Sequence, residues 1–170
     1  MNFPEKLEIL VITLSDRAYH KEYNNLSGPR LKERLTEYFK NAGQGFNISM
    51  TLIPDDALML KELIQDGSAF YNIIFTTGGT GIGPRDTTIE TVRPMLSKEI
   101  PGIMEFIRVK YGMENPDALL SRSVAGIIGK SIVYTLPGSV KAVDEYLDEI
   151  LKTIRHTIMM QYGIDMHGNQ

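Results

Sequence analysis

Thr76-Thr77-Gly78-Gly79-Thr80-Gly81-Ile82-Gly83-Pro84-Arg85-Asp86 decides the fold, and it directly follows the apolar run Tyr71-Asn72-Ile73-Ile74-Phe75. The apolar run predicts a buried strand, and the glycines indicate a turn at the carboxyl end of that strand. Open α/β sheets bind their ligands at the carboxyl ends of their strands. The stretch therefore predicts an α/β protein with a ligand site directly after this strand.

The residue types in this glycine loop, residues 76–86, favour an anionic ligand. Four glycines allow backbone N–H groups to approach an anion closely, and Thr76, Thr77 and Thr80 add hydroxyl donors. Arg85 adds a planar cation suited to phosphate. The Asp86 carboxylate would repel a bound phosphate unless a divalent metal such as Mg²⁺ lay between them. We predict a nucleotide or phosphate-ester site that uses Mg²⁺; the alternative is a plain glycine-rich turn.

Strand and helix patterns alternate along the whole chain. Apolar runs predict strands at 7–14, 46–53, 71–75, 124–128 and 131–136, the last two forming a β-hairpin around Gly129-Lys130. Periodic or capped segments predict helices at 27–39, 55–65, 87–94, 101–111, 116–120 and 140–158, with a loop at 18–26. Ser27 and Ser139 are expected as N-caps, and Thr87 with Glu90 as a capping box. The order predicts a three-layer α/β/α fold with a mostly parallel sheet, as a single domain over residues 1–170 with its core at about 7–160.

Composition narrows the function further. The 170 residues are 42% hydrophobic, include no cysteine, and carry a formal charge of -3. The missing cysteines exclude disulfides and thiolate metal sites and suit a cytoplasmic protein. No apolar run approaches the roughly 20 residues of a membrane span, and the first residues lack a signal-peptide pattern. Because the protein is mildly acidic, we expect neither nucleic-acid nor membrane binding.

Carboxylates and hydroxyls are predicted at the same edge of the sheet as the glycine loop. Asp55 and Asp56 follow the second strand, and we expect one to cap the next helix while the other, Asp55, joins the site. Paired with Asp86, Asp55 is a candidate for Mg²⁺ binding or acid–base work. The end of the first strand and the start of the next helix supply further candidate ligand contacts, which are Thr13, Ser15, Asp16, Ser27 and Gly28.

Two later segments are candidate anion sites. Pro137-Gly138-Ser139 lies where a strand gives way to the longest helix, so free N–H groups and the positive end of the helix dipole are available there. Ser139 is alternatively a simple N-cap. Ser121-Arg122 precedes the hairpin, and Arg122 is either a phosphate clamp or a surface ion-pair residue.

Six segments in this order resemble the MogA/MoaB family of molybdenum-cofactor proteins over about residues 7–156. The carrying segments are Thr13-Leu14-Ser15-Asp16-Arg17, Ser27-Gly28-Pro29, Pro54-Asp55-Asp56, the glycine loop through Pro84-Arg85-Asp86, Leu120-Ser121-Arg122 with Ala125-Gly126, and Leu136-Pro137-Gly138-Ser139 with Lys141-Ala142-Val143. A single glycine loop is a weak signal, whereas six segments in register are a specific one.

The resemblance implies a substrate, a reaction and partners. The substrate is molybdopterin, and in the MogA-type branch Mg-ATP adenylylates its terminal phosphate and pyrophosphate is released. The family's functional aspartates fall on Asp55 and Asp86. The family usually forms trimers and passes its product to a MoeA-type partner, which inserts molybdate.

Two positions depart from the family pattern and leave other functions open. Asn24-Asn25 stands where acidic residues are usual, and Val140 where a second proline is common. Pro84-Arg85-Asp86 favours the adenylylating branch. The first alternative is a catalytically silent, MoaB-like molybdopterin-binding protein; the second is an unrelated nucleotide-binding module.

Overall fold

The structure, a computed structural model, describes residues 3–164. It contains six strands, which are β1 Lys6–Leu14, β2 Gly45–Ile53, β3 Ile73–Thr77, β4 Lys98–Glu99, β5 Ala125–Ile128 and β6 Ser131–Leu136. Six α-helices accompany them, which are α1 Asp16–Tyr19, α2 Ser27–Asn41, α3 Ala57–Gly67, α4 Thr88–Val92, α5 Pro101–Gly112 and α6 Val140–Gln161. Short 3₁₀ helices lie at Arg93–Met95 and Pro116–Leu120.

One mixed sheet carries all six strands, in the order β2-β1-β3-β6-β5-β4. β1 pairs in parallel with both β2 and β3, and β3 pairs in parallel with β6. β5 and β6 form the predicted antiparallel hairpin, and β4 pairs antiparallel with β5. The mostly parallel sheet is therefore confirmed, with an antiparallel edge that includes the unpredicted two-residue β4.

Helices cover both faces of the sheet, which confirms three layers. Side chains alternate across β1, so that Leu7, Ile9 and Val11 join one core and Leu10 and Ile12 the other. The first core packs α2, α5 and α6 against the sheet, and the second packs α3 and α4. Both faces are buried at β1, β3 and β6, and this explains the nearly continuous apolar runs of these strands, whereas the edge strand β2 is largely exposed and alternates.

Two predicted capping roles are wrong, although the helices begin within one residue of the predicted positions. α2 begins at Ser27 itself, so its N-cap is Leu26, and Asn25 Oδ1 accepts the Gly28 N–H at 3.2 Å. Thr87 is the N-cap of α4 but makes no side-chain capping bond, and Glu90 pairs with Arg122 instead of closing a capping box. At the start of α2, the neighbouring residue Asn25 accepts a backbone N–H in place of Ser27. At α4, the tertiary partner Arg122 takes the Glu90 carboxylate that would have closed the capping box.

Other predicted boundaries are confirmed. Asp56 caps α3, accepting from the N–H groups of Leu58 and Met59 at 2.8 and 2.9 Å. Ser139 caps α6, accepting from the Ala142 N–H at 3.1 Å. The predicted loop 18–26 begins inside the one-turn helix α1, which is too short to produce a hydrophobic period. Residues 1–2 and 165–170 of the predicted domain lie outside the described range, in which no helix is long and apolar enough to cross a membrane.

We expect Glu149→Gln to lower the free energy of unfolding at pH 7 by about 1–2 kcal/mol. Glu149 lies on α6, is only 7% exposed, and accepts from Lys110 of α5 at 2.6 Å and from Lys152 at 2.7 Å. Burial by itself raises the pKa of the Glu149 carboxyl, but the hydrogen bonds from Lys110 and Lys152 outweigh it and hold the pKa below its usual value. The charged form is therefore the stabilising one.

The pH dependence of this effect follows from that direction. The stabilisation by Glu149 is complete above the unfolded-state pKa of about 4.3 and is lost as the pH falls through the lower folded-state pKa. Urea unfolding of the wild-type protein and of the Glu149→Gln variant should therefore give free energies of unfolding that converge as the pH falls below about 4. Glu33→Gln is the control. The Glu33 side chain is 66% exposed, and the substitution removes its ion pair with Arg30. An equal loss in both variants would contradict a specific role for the buried pair.

Candidate active site

The glycine loop follows β3 at the point where the sheet reverses its winding. The chain leaves β1 for β2 on one side, and β3 then returns to the other side of β1. A crevice opens between the carboxyl ends of two strands at such a point. Gly78 fills the floor of that crevice, since a Cβ built there would lie 2.3 Å from the Leu14 carbonyl oxygen of β1. Its φ of +107° is one that residues with a side chain rarely adopt.

The loop is fixed by its carbonyl groups and leaves N–H groups free. Thr88 Oγ1 donates to the Gly78 carbonyl at 2.9 Å, and the Thr88 N–H donates to the Gly79 carbonyl at 3.1 Å. Among the hydrogen bonds of residues 3–164, none uses the N–H of Gly79, Gly81 or Ile82 as a donor within the protein. Free N–H groups in a glycine-rich turn are the donors that an anion needs.

A cleft of about 310 Å³ beside the loop gathers the predicted carboxylates, and we call it the aspartate cleft. Its lining is Leu14, Ser15, Asp16, Arg17, Asp55, Gly79, Arg85 and Asp86. Asp55 reaches it although β1 separates β2 from β3, because the Asp55 N–H donates to Asp16 Oδ1 at 3.0 Å and Asp55 Oδ2 accepts the Asp16 N–H at 3.2 Å. Asp86 Oδ2 accepts the Gly83 N–H at 2.8 Å.

The electrostatics of the aspartate cleft are those of crowded carboxylates partly offset by arginine. Burial, and then the negative charge of Asp86, raises the pKa of the Asp55 carboxyl. Arg85 forms an ion pair with Asp16 while its side chain stays 71% exposed. Arg85 therefore has the reach to exchange this partner for a ligand in the open cleft.

The donor chemistry of the cleft fits Mg²⁺ that arrives with a phosphate ligand. Mg²⁺ is commonly held by one or two carboxylates together with substrate phosphates and water. Asp55 and Asp86 supply two carboxylates whose mutual repulsion a cation would relieve. No group of three or more potential ligand side chains from His, Cys, Asp and Glu occurs in the described range 3–164. The site is thus suited to a metal shared with its ligand.

Several predicted hydroxyl contacts serve the protein itself in this structure. Thr76 is fully buried, and Thr77 Oγ1 donates to the Pro137 carbonyl at 2.8 Å. Thr13 Oγ1, also buried, accepts from Asn25 Nδ2 at 3.2 Å, and Ser15 Oγ caps α1 by accepting from the Ala18 N–H. Thr80, Ser27 and Gly28 are likewise buried. The hydroxyls of Thr13, Ser15 and Thr77 are thus engaged within the protein, whereas Thr76 Oγ1 is buried without a hydrogen-bond partner among the described residues.

A second cleft of about 200 Å³, the α6 cleft, lies at the start of the long helix. Pro137, Ser139, Lys141, Ser121 and Tyr146 are among its lining residues, and Tyr146 donates its hydroxyl to Ser121 Oγ at 2.9 Å. The α6 cleft lies close to the glycine loop, because a Cβ on Gly138 would lie 3.4 Å from the Gly78 Cα. The glycine loop and Pro137-Gly138-Ser139, which were both predicted to bind anions, are therefore adjacent.

Arg122 forms an ion pair with Glu90, as one of its two predicted roles required, and it also binds the glycine loop. Its Nε donates to the Gly81 carbonyl at 2.7 Å, its Nη2 donates to the Asp86 carbonyl at 3.0 Å, and its guanidinium pairs with Glu90. The guanidinium is thus bound both to Glu90 and to carbonyl groups of the loop, and it lines an open cleft beside the loop together with Asp86. Arg122 is 34% exposed as a side chain.

Sequence reasoning missed four residues that shape the site. Tyr23 hydrogen-bonds Ser15 Oγ at 3.1 Å, Asn25 ties β1 to α2, Thr88 holds the glycine loop, and Glu90 holds Arg122. Asn25 lies three residues before Gly28, which is a capping spacing and the one available local signal. The others depend on contacts that no local pattern encodes.

A larger groove of about 740 Å³ lies elsewhere, between α2 and β2. Its lining includes the charged residues Lys32, Glu33, Glu37 and Lys40 and no residue of the glycine loop. Size alone therefore does not select the functional site in this protein.

Known proteins are similar to this chain in sequence. The family described as "Probable molybdopterin binding domain" matches residues 10–156. A molybdopterin adenylyltransferase of Helicobacter pylori strain J99 is 33% identical over 168 residues, covering 98% of this chain and 94% of the relative. A protein of Staphylococcus carnosus named molybdenum cofactor biosynthesis protein B is 42% identical over 154 residues, covering 86% and 85%.

Solved structures and longer relatives extend the comparison. The tungsten cofactor synthesizing protein MoaB of Pyrococcus furiosus superposes with a TM-score of 0.79 at 32% identity, covering 95% of this chain and 99% of that one. The chain also matches gephyrin of Dictyostelium discoideum at 36% identity and spans about a fifth of its length, 21%. In the Drosophila melanogaster protein cinnamon the chain spans 25% of the length.

Proposed function

The chain belongs to the family of probable molybdopterin-binding domains, and from that premise we propose that it is a molybdopterin adenylyltransferase. In this reaction AMP passes from Mg-ATP to the terminal phosphate of molybdopterin, and pyrophosphate is released. The observation that carries the proposal is the convergence of Asp55, Asp86 and Arg85 on one cleft beside a loop with free N–H groups. The relative named molybdopterin adenylyltransferase, similar over almost its whole length, supports the same activity.

The proposed mechanism needs positioning and charge stabilisation rather than a protein nucleophile. A terminal phosphate oxygen of molybdopterin bonds to the α-phosphorus of ATP, and the bond from that phosphorus to the bridging oxygen breaks as pyrophosphate leaves. The free N–H groups of the glycine loop and the Arg85 guanidinium bind and orient the phosphates. Mg²⁺, when bound, offsets negative charge on the triphosphate and the departing pyrophosphate, and Asp55 and Asp86 would hold it.

The α6 cleft is proposed to hold the second anionic group. Ser139, Lys141 and the start of α6 offer a hydroxyl, a cation and the positive end of a helix dipole next to the glycine loop. Two adjacent anion sites match a reaction that joins two phosphates. The cytoplasmic location, the homotrimer and a MoeA-type partner are proposed on the family resemblance.

We expect purified protein to release pyrophosphate from ATP only when molybdopterin and Mg²⁺ are both present. The reason is that the attacking oxygen belongs to molybdopterin, and that the three aspartates lining the aspartate cleft outnumber its two arginines, so a triphosphate needs an added cation there. Pyrophosphate should be measured with each component omitted in turn. Release without molybdopterin would contradict the proposal and indicate an unrelated nucleotide-binding module.

A second candidate is a molybdopterin-binding protein without transferase activity. Asn24-Asn25, which stands where the family usually carries acidic residues, leaves room for this candidate. Molybdopterin binding without pyrophosphate release in the same assay would support this candidate and overturn the first. The presence of both Asp55 and Asp86 in the aspartate cleft favours the transferase.

A further inference from the structure

Arg122 connects the middle of the glycine loop, at Thr80 and Gly81, to the end of the loop at Asp86. Its backbone N–H donates to the Thr80 carbonyl at 2.9 Å and its Nε donates to the Gly81 carbonyl at 2.7 Å. Its Nη2 reaches the far end of the loop, donating to the Asp86 carbonyl at 3.0 Å. One residue, 36 positions away from Asp86 in the chain, thus holds three carbonyl groups of the loop.

These bonds determine which way the loop N–H groups point. A trans peptide unit is planar, and its C=O and N–H point in opposite directions. When Arg122 holds the carbonyls of Thr80 and Gly81, the N–H groups of Gly81 and Ile82 in the same peptide units point away from Arg122. Those N–H groups have no acceptor in the part of the protein that the structure describes. The anchoring of the carbonyls therefore frees and orients the donors.

Glu90 in turn fixes the guanidinium. Its carboxylate pairs with Nη1 of Arg122 and accepts from Nη2 at 3.2 Å, so the planar group is held by two-point contact. The hydrogen bond from Arg122 lowers the pKa of the Glu90 carboxyl, and the carboxylate is therefore charged at neutral pH. Glu90 lies on α4, whose Thr88 also holds the loop. Thr88 of α4 and Arg122 together hold the loop by hydrogen bonds to its carbonyl groups.

We propose that Arg122 is a positioning residue, held by Glu90, that presets the glycine loop to bind phosphate without touching the phosphate itself. The identity of the ligand, Mg-ATP, rests on the proposed function. The claim that Arg122 orders the glycine loop does not depend on it. A preset loop loses no ordering entropy when the ligand binds, so its N–H groups contribute more to affinity. Four of the five N–H groups of the Arg122 guanidinium already donate to acceptors of the protein, which leaves one for any direct contact with phosphate.

The primary test measures the loop without any ligand. We expect Arg122→Lys to lower the NMR order parameters of the Gly79–Gly83 amides in the ligand-free protein, because lysine cannot reach the same carbonyls in a planar array. Glu90→Gln should lower them less, in the same direction. Arg93→Lys is the matched control, since Arg93 pairs with Glu99 at 3.1 Å and does not contact the loop. Unchanged order parameters in both test variants would overturn the proposal.

Affinity for Mg-ATP then separates positioning from direct contact. By calorimetry we expect about tenfold weaker binding for Arg122→Lys and a double variant no weaker than Arg122→Lys, because Glu90 acts through Arg122. Tighter binding by Glu90→Gln would overturn the proposal, since it would mean that Glu90 competes with phosphate for Arg122. If the wild-type protein bound no Mg-ATP, the proposed function would fail while the ligand-free test still decided the role of Arg122. Glu90→Gln, which changes an exposed side chain, keeps the test valid if Arg122→Lys does not fold.

Discussion

Asp86→Asn is expected to lower kcat/KM for adenylyl transfer by roughly 100- to 1,000-fold, which is the range seen when one preorganised electrostatic group is removed. The substitution keeps the size of the side chain and an oxygen that can accept the Gly83 N–H, now at 2.8 Å from Asp86 Oδ2. We therefore expect the free energy of unfolding to change by less than about 1 kcal/mol. The loss of turnover would come from the missing negative charge in the aspartate cleft.

Asp56→Asn is the matched control for this prediction. Asp56 lies at the same edge of the sheet, but its carboxylate accepts the hydrogen bonds that cap α3. Asparagine is an equally good N-cap. This variant should retain both stability and turnover. Steady-state pyrophosphate release with molybdopterin and Mg-ATP gives the comparison. Equal turnover by Asp86→Asn and wild-type protein would show that the carboxylate has no part in the reaction.

Gly78→Ala should destabilise the protein by about 2–4 kcal/mol, because it adds both backbone strain and a steric clash. The φ of Gly78 is +107°, and the new Cβ would lie 2.3 Å from the Leu14 carbonyl oxygen. That oxygen belongs to the backbone of β1, which cannot move without disturbing the centre of the sheet. Thermal unfolding should show a fall in Tm of roughly 10 °C for a chain of this size.

The control for Gly78 is a glycine with room around it. A Cβ on Gly102, in the first turn of α5, would meet no atom within 4 Å. Gly102→Ala should leave Tm unchanged or raise it slightly, because alanine restricts the unfolded chain and favours the helix. A Gly78→Ala protein that melted with the wild type would contradict the close approach of the glycine loop to β1.

The predicted fold depended on signals that are local in the chain. Two-sided burial gives continuous apolar runs, and these identified β1, β3 and the hairpin strands before any packing was known. The two residues of β4 carry no such signal, because a strand this short is defined by its pairing with β5. The one turn of α1 was missed for the same reason of length.

The candidate site was predictable in its location but not in its division of labour. Strand ends and the glycine loop indicated one edge of the sheet, and the structure places Asp55 and Asp86 in one cleft there. Ser27 and the Thr87–Glu90 pair matched capping patterns that the structure does not use. At the start of α2 the neighbouring Asn25, and not Ser27, accepts a backbone N–H, and at α4 the distant Arg122 pairs with the Glu90 carboxylate that a capping box would have used.

The sequence by itself determined the alternation of strands and helices, the glycine loop at a strand end and the family, since each depends on residue order and local conformational preference. Only the tertiary structure decided that Asp55 lines one cleft with the glycine loop although β1 lies between their strands, and that Arg122 holds the loop by its carbonyl groups. The physical reason is that a side chain's role depends on which partners fold against it. Arg122 is 32 residues from Glu90 and 41 from Gly81, and no local pattern spans those separations.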